Sequence, residues 1–136
     1  MEQRKRRVLV VDDDPKIRVM VRKSLEAMGH EVLEAIDGQQ AIDLLTEQGH
    51  ALDLVCLDVM LPKFSGFDVC EALQRSSAAL KSVPILIMSA RVAPLDRALA
   101  EELGAAAYLC KPFGLKDFAA QVRALLESKA QTKPAR

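Results

Sequence analysis

The sequence predicts an α/β fold, a doubly wound sheet of five parallel strands in the order 2-1-3-4-5 with five helices on its two faces. Three observations predict it. Short, near-continuous apolar runs recur five times, as expected of strands buried on both faces. Each run is followed by a stretch whose apolar residues recur at helical spacing. Gly or Pro punctuates the joins. Alternating strands and helices build a parallel sheet, and right-handed crossovers with one reversal give the doubly wound order. Its switch point falls between strands one and three, where such sheets collect ligands at the carboxyl ends of the strands.

The first strand is Val8-Leu9-Val10-Val11, ending at Asp12-Asp13-Asp14-Pro15. Asp14 is placed to cap a helix that has Pro15 at its first position, with Ile17, Met20, Val21, Leu25 and Met28 on one face until Gly29 stops it. Val32 to Ala35 is the second strand. Asp37-Gly38 turns into a helix with Ala41, Ile42, Leu44 and Leu45 inward, closed by Gly49. Leu52 to Leu57 is the third strand, after which Asp58 stands where a buried strand opens to solvent and Pro62 forces the backbone out of pairing. Gly66 introduces a helix on which Phe67, Cys70 and Leu73 share a face. Ile85 to Met88 is the fourth strand, ending in Ser89-Ala90-Arg91. A fourth helix starts at Pro94, carries Leu95, Ala98, Leu99 and Leu103, and ends at Gly104. Ala107 to Cys110 is the last strand and stops at Lys111-Pro112. The final helix sets Leu115, Phe118, Ala119, Val122, Leu125 and Leu126 on one stripe, and Ser128 to Arg136 is expected to fray.

The 136 residues suit one domain, with half of them hydrophobic and 28% charged, which is ordinary globular composition. We expect that domain over residues 1–130, with 131–136 a polar tail or the start of a linker. Nineteen Lys and Arg balance nineteen Asp and Glu, so no global field draws the chain to nucleic acid or an anionic membrane. The basic run Arg4 to Arg7 reads as a solvated lead-in to the first strand. The charged amino terminus precedes only four apolar residues, too few for a signal-peptide core or a membrane span. Cys56, Cys70 and Cys110 match no metal spacing and leave one thiol unpaired in any scheme, which points to buried free thiols in a reducing cytoplasm.

The topology brings Asp12, Asp13 and Asp58 into one crevice. Two like charges near 4 Å repel by about 4 kcal/mol at an effective dielectric of 20, so such a cluster calls for a cation. All-oxygen ligation selects a hard ion, and few protein ligands with room for water favour Mg²⁺, which habitually bridges carboxylates and phosphoryl oxygens. Ser89 and Lys111, ending strands four and five, add a hydroxyl and a point charge for phosphoryl oxygens. Each alone is an ordinary turn or edge residue; their conjunction at the carboxyl ends of one sheet is the signal.

These residues resemble a known family. Val10-Val11-Asp12-Asp13, Leu57-Asp58-Val59-Met60-Leu61-Pro62 with Gly66, Ser89-Ala90, and Tyr108-Leu109-Cys110-Lys111-Pro112-Phe113 are together similar to the receiver domain of two-component response regulators, a flavodoxin-like fold of chemotaxis-regulator type. The resemblance implies that Asp58 accepts a phosphoryl group from a sensor histidine kinase or a phosphotransfer protein. It implies Mg²⁺ held by Asp13, Asp58 and the main-chain carbonyl of Met60, and by Asp12 directly or through water, with Ser89 and Lys111 completing the catalytic set. Slow self-dephosphorylation would follow, with no turnover of a free metabolite. Ser89 and Tyr108 would form the switch, and Lys111-Pro112 the family's cis peptide. The face of the fourth helix, fifth strand and fifth helix would dock a downstream protein, with Asp96, Arg97, Glu101 and Glu102 as contact charges and phosphorylation-dependent homodimerisation open. Met60 and Arg91 would flank the site entrance. The loop Lys63-Phe64-Ser65-Gly66 departs from the family's frequent Gly and acidic residue, and Phe64 is expected to tuck onto the third helix.

The expected protein is cytoplasmic, with no direct nucleic-acid or membrane contact and a protein–protein output, either stand-alone or the receiver of a longer chain whose linker begins near Gln131. A nucleotide- or flavin-binding enzyme of the same fold would want a Gly-rich first turn, which Asp12-Asp13-Asp14-Pro15 lacks. A degenerate receiver acting only as an interaction module would lack an acidic or acceptor residue, and none is missing here.

Overall fold

The computed structural model describes residues 5–48, 51–76, 82–91 and 93–132. Along the chain run β1 (Arg7–Val11), α1 (Pro15–Ala27), β2 (Glu31–Ala35), α2 (Gly38–Gln48), β3 (Leu54–Asp58), α3 (Gly66–Gln74), β4 (Ile85–Ser89), α4 (Pro94–Glu102), β5 (Ala107–Cys110) and α5 (Leu115–Thr132). The sheet order is β2-β1-β3-β4-β5 and every pairing is parallel. This is the predicted doubly wound sheet.

Side chains alternate across the sheet and so build two cores. Leu9, Val11, Val55, Leu57, Ile85 and Ile87 face α2, α3 and α4, meeting Ala41, Leu45, Val69, Cys70, Leu73 and Ala100. Val8, Val10, Leu54, Cys56, Leu86 and Met88 face α1 and α5, meeting Val21, Leu25, Phe118, Val122 and Leu126. Phe118 is fully buried and stacks on Phe113 at 5.8 Å between centroids. All residues of β3 and β4 are buried, which explains why those strands read as unbroken apolar runs.

Local signals account for the helix ends. Asp14 caps α1 by accepting from the Lys16 amide, with Pro15 in the first turn, and Gly29 leaves the helix at φ 92°. Ser65 and Asp68 form a reciprocal capping box on α3. Asp37, nearly buried, accepts from the Gln40 amide at 2.8 Å at the start of α2. Gly49, expected to close that helix, lies outside the described residues, as do Arg4 and residues 133–136.

Several expectations are corrected. The third strand begins at Leu54 rather than Leu52, and it includes Asp58. On α3, Val69 is buried and Phe67 only partly so. On α4 the buried residue is Ala100 and Leu103 packs partly buried against the core, while Leu95 is 83% and Leu99 41% exposed. The last helix continues to Thr132, into the first residues of the segment 128–136 expected to fray. Cys56 and Cys70 are buried, and burial pushes the Cys70 thiol up to about 12 and raises that of Cys56, but Cys110 is only half-buried. Phe64 is 40% exposed, and its backbone and Cβ lie over Gly38, where no Cβ would fit. Beside it Lys63 takes φ 71°, a left-handed conformation that favours glycine, and its Nζ stands 3.7 Å from the Asp37 carboxylate. Among the described residues, no helix is long and apolar enough to cross a membrane.

Candidate functional site

Parallel strands deliver their carboxyl ends to one edge, and the register fixes which residues meet there. Val11 pairs with Leu57 and Asp58 with Met88, so Asp12 and Asp58 leave adjacent strands side by side. Ser89 pairs with Cys110, and the Lys111 amide bonds the Ser89 carbonyl at 2.8 Å, carrying Lys111 to the same edge. The Lys111–Pro112 peptide is cis.

Asp12 is fully buried, Asp58 nearly so, and Asp13 is exposed. Each offers a carboxylate oxygen, and these oxygens lie within 4.8 Å of one another. Lys111 Nζ donates to Asp12 Oδ2 at 2.8 Å and to Asp58 Oδ2 at 3.1 Å. The Met60 amide donates to Asp58 Oδ1 at 3.2 Å, while the Met60 side chain is 59% exposed. Asp12 Oδ1 accepts from the Asp14 amide at 2.9 Å, a second task for the stretch that starts α1.

Three carboxylates against one ammonium leave an excess of negative charge at an edge where Asp12 and Asp58 are buried. Burial raises the Asp58 carboxyl above its ordinary range; Lys111 opposes the rise and Asp12 adds to it. Burial works against the Lys111 charge too, yet the bonds and charges of Asp12 and Asp58 outweigh it, so the ammonium is held above its usual value. The all-oxygen donor set, with one carboxylate open to solvent, fits a hard divalent cation that keeps water ligands.

The raised Asp58 pKa has a measurable consequence. Because protonation favours the folded state at this position, the stability it contributes is complete below the ordinary carboxylate range and is lost as pH rises through the raised folded value. In chelator, Asp58→Asn is therefore expected to melt above the native chain at neutral pH, with the gap closing toward acid. Melting curves across pH check this; a variant that melts lower at neutral pH would contradict it.

Ser89 is fully buried, and its Oγ accepts from the Arg91 amide at 3.0 Å. Tyr108 is half-buried, and its hydroxyl donates to the Arg91 carbonyl at 2.7 Å. The two predicted switch residues thus meet at one residue, a junction the sequence did not signal. Arg97, expected only as a contact charge, lies 4.9 Å from the Tyr108 ring centroid and donates to Cys110 Sγ at 2.9 Å. Asp96 pairs with Arg91 at 3.0 Å; Glu101 and Glu102 are exposed. Beside the carboxylates runs a groove of about 590 Å³, with Asp13, Met60, Arg91 and Leu99 in its lining.

Known proteins resemble this chain in both sequence and fold. The sequence profile of the response regulator receiver domain matches residues 8–123. The chain is 41% identical over 120 residues to the transcriptional regulatory protein CpxR of Escherichia coli K12, covering 88% of this chain and 49% of the relative. It is 42% identical over 120 residues to the response regulator MprA of Mycolicibacterium vanbaalenii, covering 88% and 50%. The chain thus spans about half the length of these relatives. The structure of the chemotaxis response regulator CheY4 of Vibrio cholerae superposes with a TM-score of 0.81 at 31% identity, over 90% of this chain and all of that one.

Proposed function

This chain belongs to the family of response regulator receiver domains, and from that premise we propose that it is an Mg²⁺-dependent phosphoacceptor switch whose acceptor is Asp58. The observation that carries the reading is the Lys111 ammonium shared between Asp12 and Asp58 beside the exposed carboxylate of Asp13. In this reading Asp12, Asp13 and Asp58 hold the ion together with the Met60 carbonyl. Bound there, Mg²⁺ supplies positive charge to the phosphoryl oxygens.

A carboxylate oxygen of Asp58 attacks phosphorus of a phosphohistidine on a sensor kinase or phosphotransfer protein. The O–P bond forms as the P–N bond breaks, and the electron pair leaves with the imidazole. The Met60 amide, bonded to Asp58 Oδ1, orients the nucleophile, and Lys111 neutralises charge developing on the transferred oxygens. Water later cleaves the acyl phosphate, so the chain catalyses its own modification and slow loss of it rather than turnover of a metabolite. The signal leaves through the Arg91 junction: when Ser89 turns its hydroxyl to a phosphoryl oxygen it gives up the Arg91 amide, and that loosens the Tyr108 hydroxyl on the adjoining carbonyl.

The α4–β5–α5 face, with Leu95 and Leu99 exposed, is then the docking surface for a downstream protein or a second receiver. We place the domain in the cytoplasm, with no nucleic-acid or membrane contact of its own. The relative CpxR is named a transcriptional regulatory protein and is about twice as long, so DNA reading would fall to sequence beyond the aligned half.

The test is intact mass after incubation with a small acyl phosphate. The native chain is expected to gain one phosphoryl group with Mg²⁺, and none with chelator or in Asp58→Asn. A gain that persists in chelator, or none in the native chain, would overturn the reading.

A further inference from the structure

We infer that Arg18 is a positioning residue for the acid cluster, holding the peptide that leads from Asp12 into Asp13; the inference rests on the metal-dependent reading of the site. Arg18 lies in the first turns of α1, and its side chain is 17% exposed. Its Nη1 donates to the Asp12 main-chain carbonyl at 2.9 Å, and its Nε donates to Glu34 Oε1 at 2.9 Å. Glu34 sits on β2 and is held from the other side by Arg22 Nη1, 3.3 Å from Oε2. Arg18 and Arg22 are four residues apart on one face of α1, so a single strand carboxylate reaches both.

The peptide unit is planar, so a bond to the Asp12 carbonyl also fixes the Asp13 N–H and the direction in which Asp13 starts. Every other polar atom of Asp12 is already engaged: its amide bonds the Ala35 carbonyl at 3.1 Å, Oδ1 takes the Asp14 amide and Oδ2 takes Lys111. Arg18 supplies the remaining tether. Among the described residues, none forms a hydrogen bond or ion pair that would aim the side chain of Asp13, the exposed ligand candidate, so its placement depends on the backbone before it. A guanidinium suits this task because its fork spans two acceptors in fixed geometry, which an ammonium does not. Two arginines against one glutamate also leave one positive charge next to the excess negative charge of the cluster.

The experiment is a calorimetric Mg²⁺ titration of the native chain, Arg18→Met, Arg18→Lys and Glu34→Gln, with chelator melting curves and the Asp13 amide resonance followed in parallel. Loss of an outer partner of a metal ligand typically weakens metal affinity about 10- to 100-fold. Arg18→Met and Arg18→Lys are both expected to raise the Mg²⁺ Kd at least about tenfold and to shift the Asp13 amide. Glu34→Gln is expected to raise it less, in the same direction. A folded Arg18→Lys that binds like the native chain would reduce the effect to charge and overturn positioning. Native affinity in both Arg18 variants would overturn the inference while leaving the site reading intact; no Mg²⁺ uptake by the native chain would overturn both. If Arg18→Met does not fold, unchanged affinity in Glu34→Gln overturns the inference.

Discussion

Lys111→Met is expected to slow phosphoryl uptake from an acyl phosphate by about 100-fold or more at saturating Mg²⁺, the scale seen when one preorganised donor to a developing anion is removed. The ammonium is the shared partner of Asp12 and Asp58, at 2.8 and 3.1 Å, with only 17% of its side chain exposed. Its loss also leaves two buried carboxylates facing each other. Removing one member of such a group costs about 3 kcal/mol, because the remaining charge stays buried without compensation. Burial already raises Asp58, and without Lys111 nothing of comparable size opposes the rise, so its carboxyl moves further up. The variant should therefore lose stability chiefly as pH rises through that value and recover toward acid. Stopped-time mass measurements give the rate and chelator melts give the pH dependence; uptake at the native rate would contradict the role given to Lys111.

Gly66→Ala is expected to destabilise the chain by about 3 kcal/mol, lowering the melting midpoint by about 10 °C. A Cβ at Gly66 would collide with the Asp58 carbonyl oxygen and lie 2.8 Å from Val59 Cα. Both obstacles are backbone, so no rotamer change relieves them. The Gly66 amide also bonds the Val59 carbonyl at 2.8 Å, which ties the start of α3 to the strand end carrying the acceptor. Relief must come from moving that strand end, so uptake at Asp58 should fall even at temperatures where the variant is folded. A calorimetric scan and an uptake rate measured well below the midpoint test this; native stability would show that the loop has slack the structure does not.

These two residues mark what the sequence could and could not reveal. Lys111 was legible because buried parallel strands produce unbroken apolar runs, and any polar residue at their carboxyl ends stands out. The same contrast marked Asp12, Asp58 and Ser89, and the strand order was the simplest doubly wound one for that alternation and handedness. Gly66 was visible as a helix start, but its closeness to Asp58 depends on how the β3–α3 loop folds back. On α4 periodicity marked the helix but not its buried face: Ala100 is buried, while Leu95 and Leu99 are exposed. Spacing reports a face, not what covers it. The Arg91 junction between Ser89 and Tyr108 is formed by main-chain atoms, which carry no signature in residue type. Arg18 had a faint one, two arginines four apart on a helix and a glutamate inside a short strand, but its second bond goes to the Asp12 main-chain carbonyl, which residue type does not signal.

The most direct test of the central claim is to locate the phosphoryl group. The chain is incubated with an acyl phosphate donor and Mg²⁺, the carboxyl phosphate is trapped by borohydride reduction, and the peptides are mapped by mass spectrometry. The account predicts one modified position, Asp58, dependent on Mg²⁺ and on Lys111. Modification at Asp12, Asp13 or any other carboxylate in place of Asp58, or none on folded protein, would contradict it.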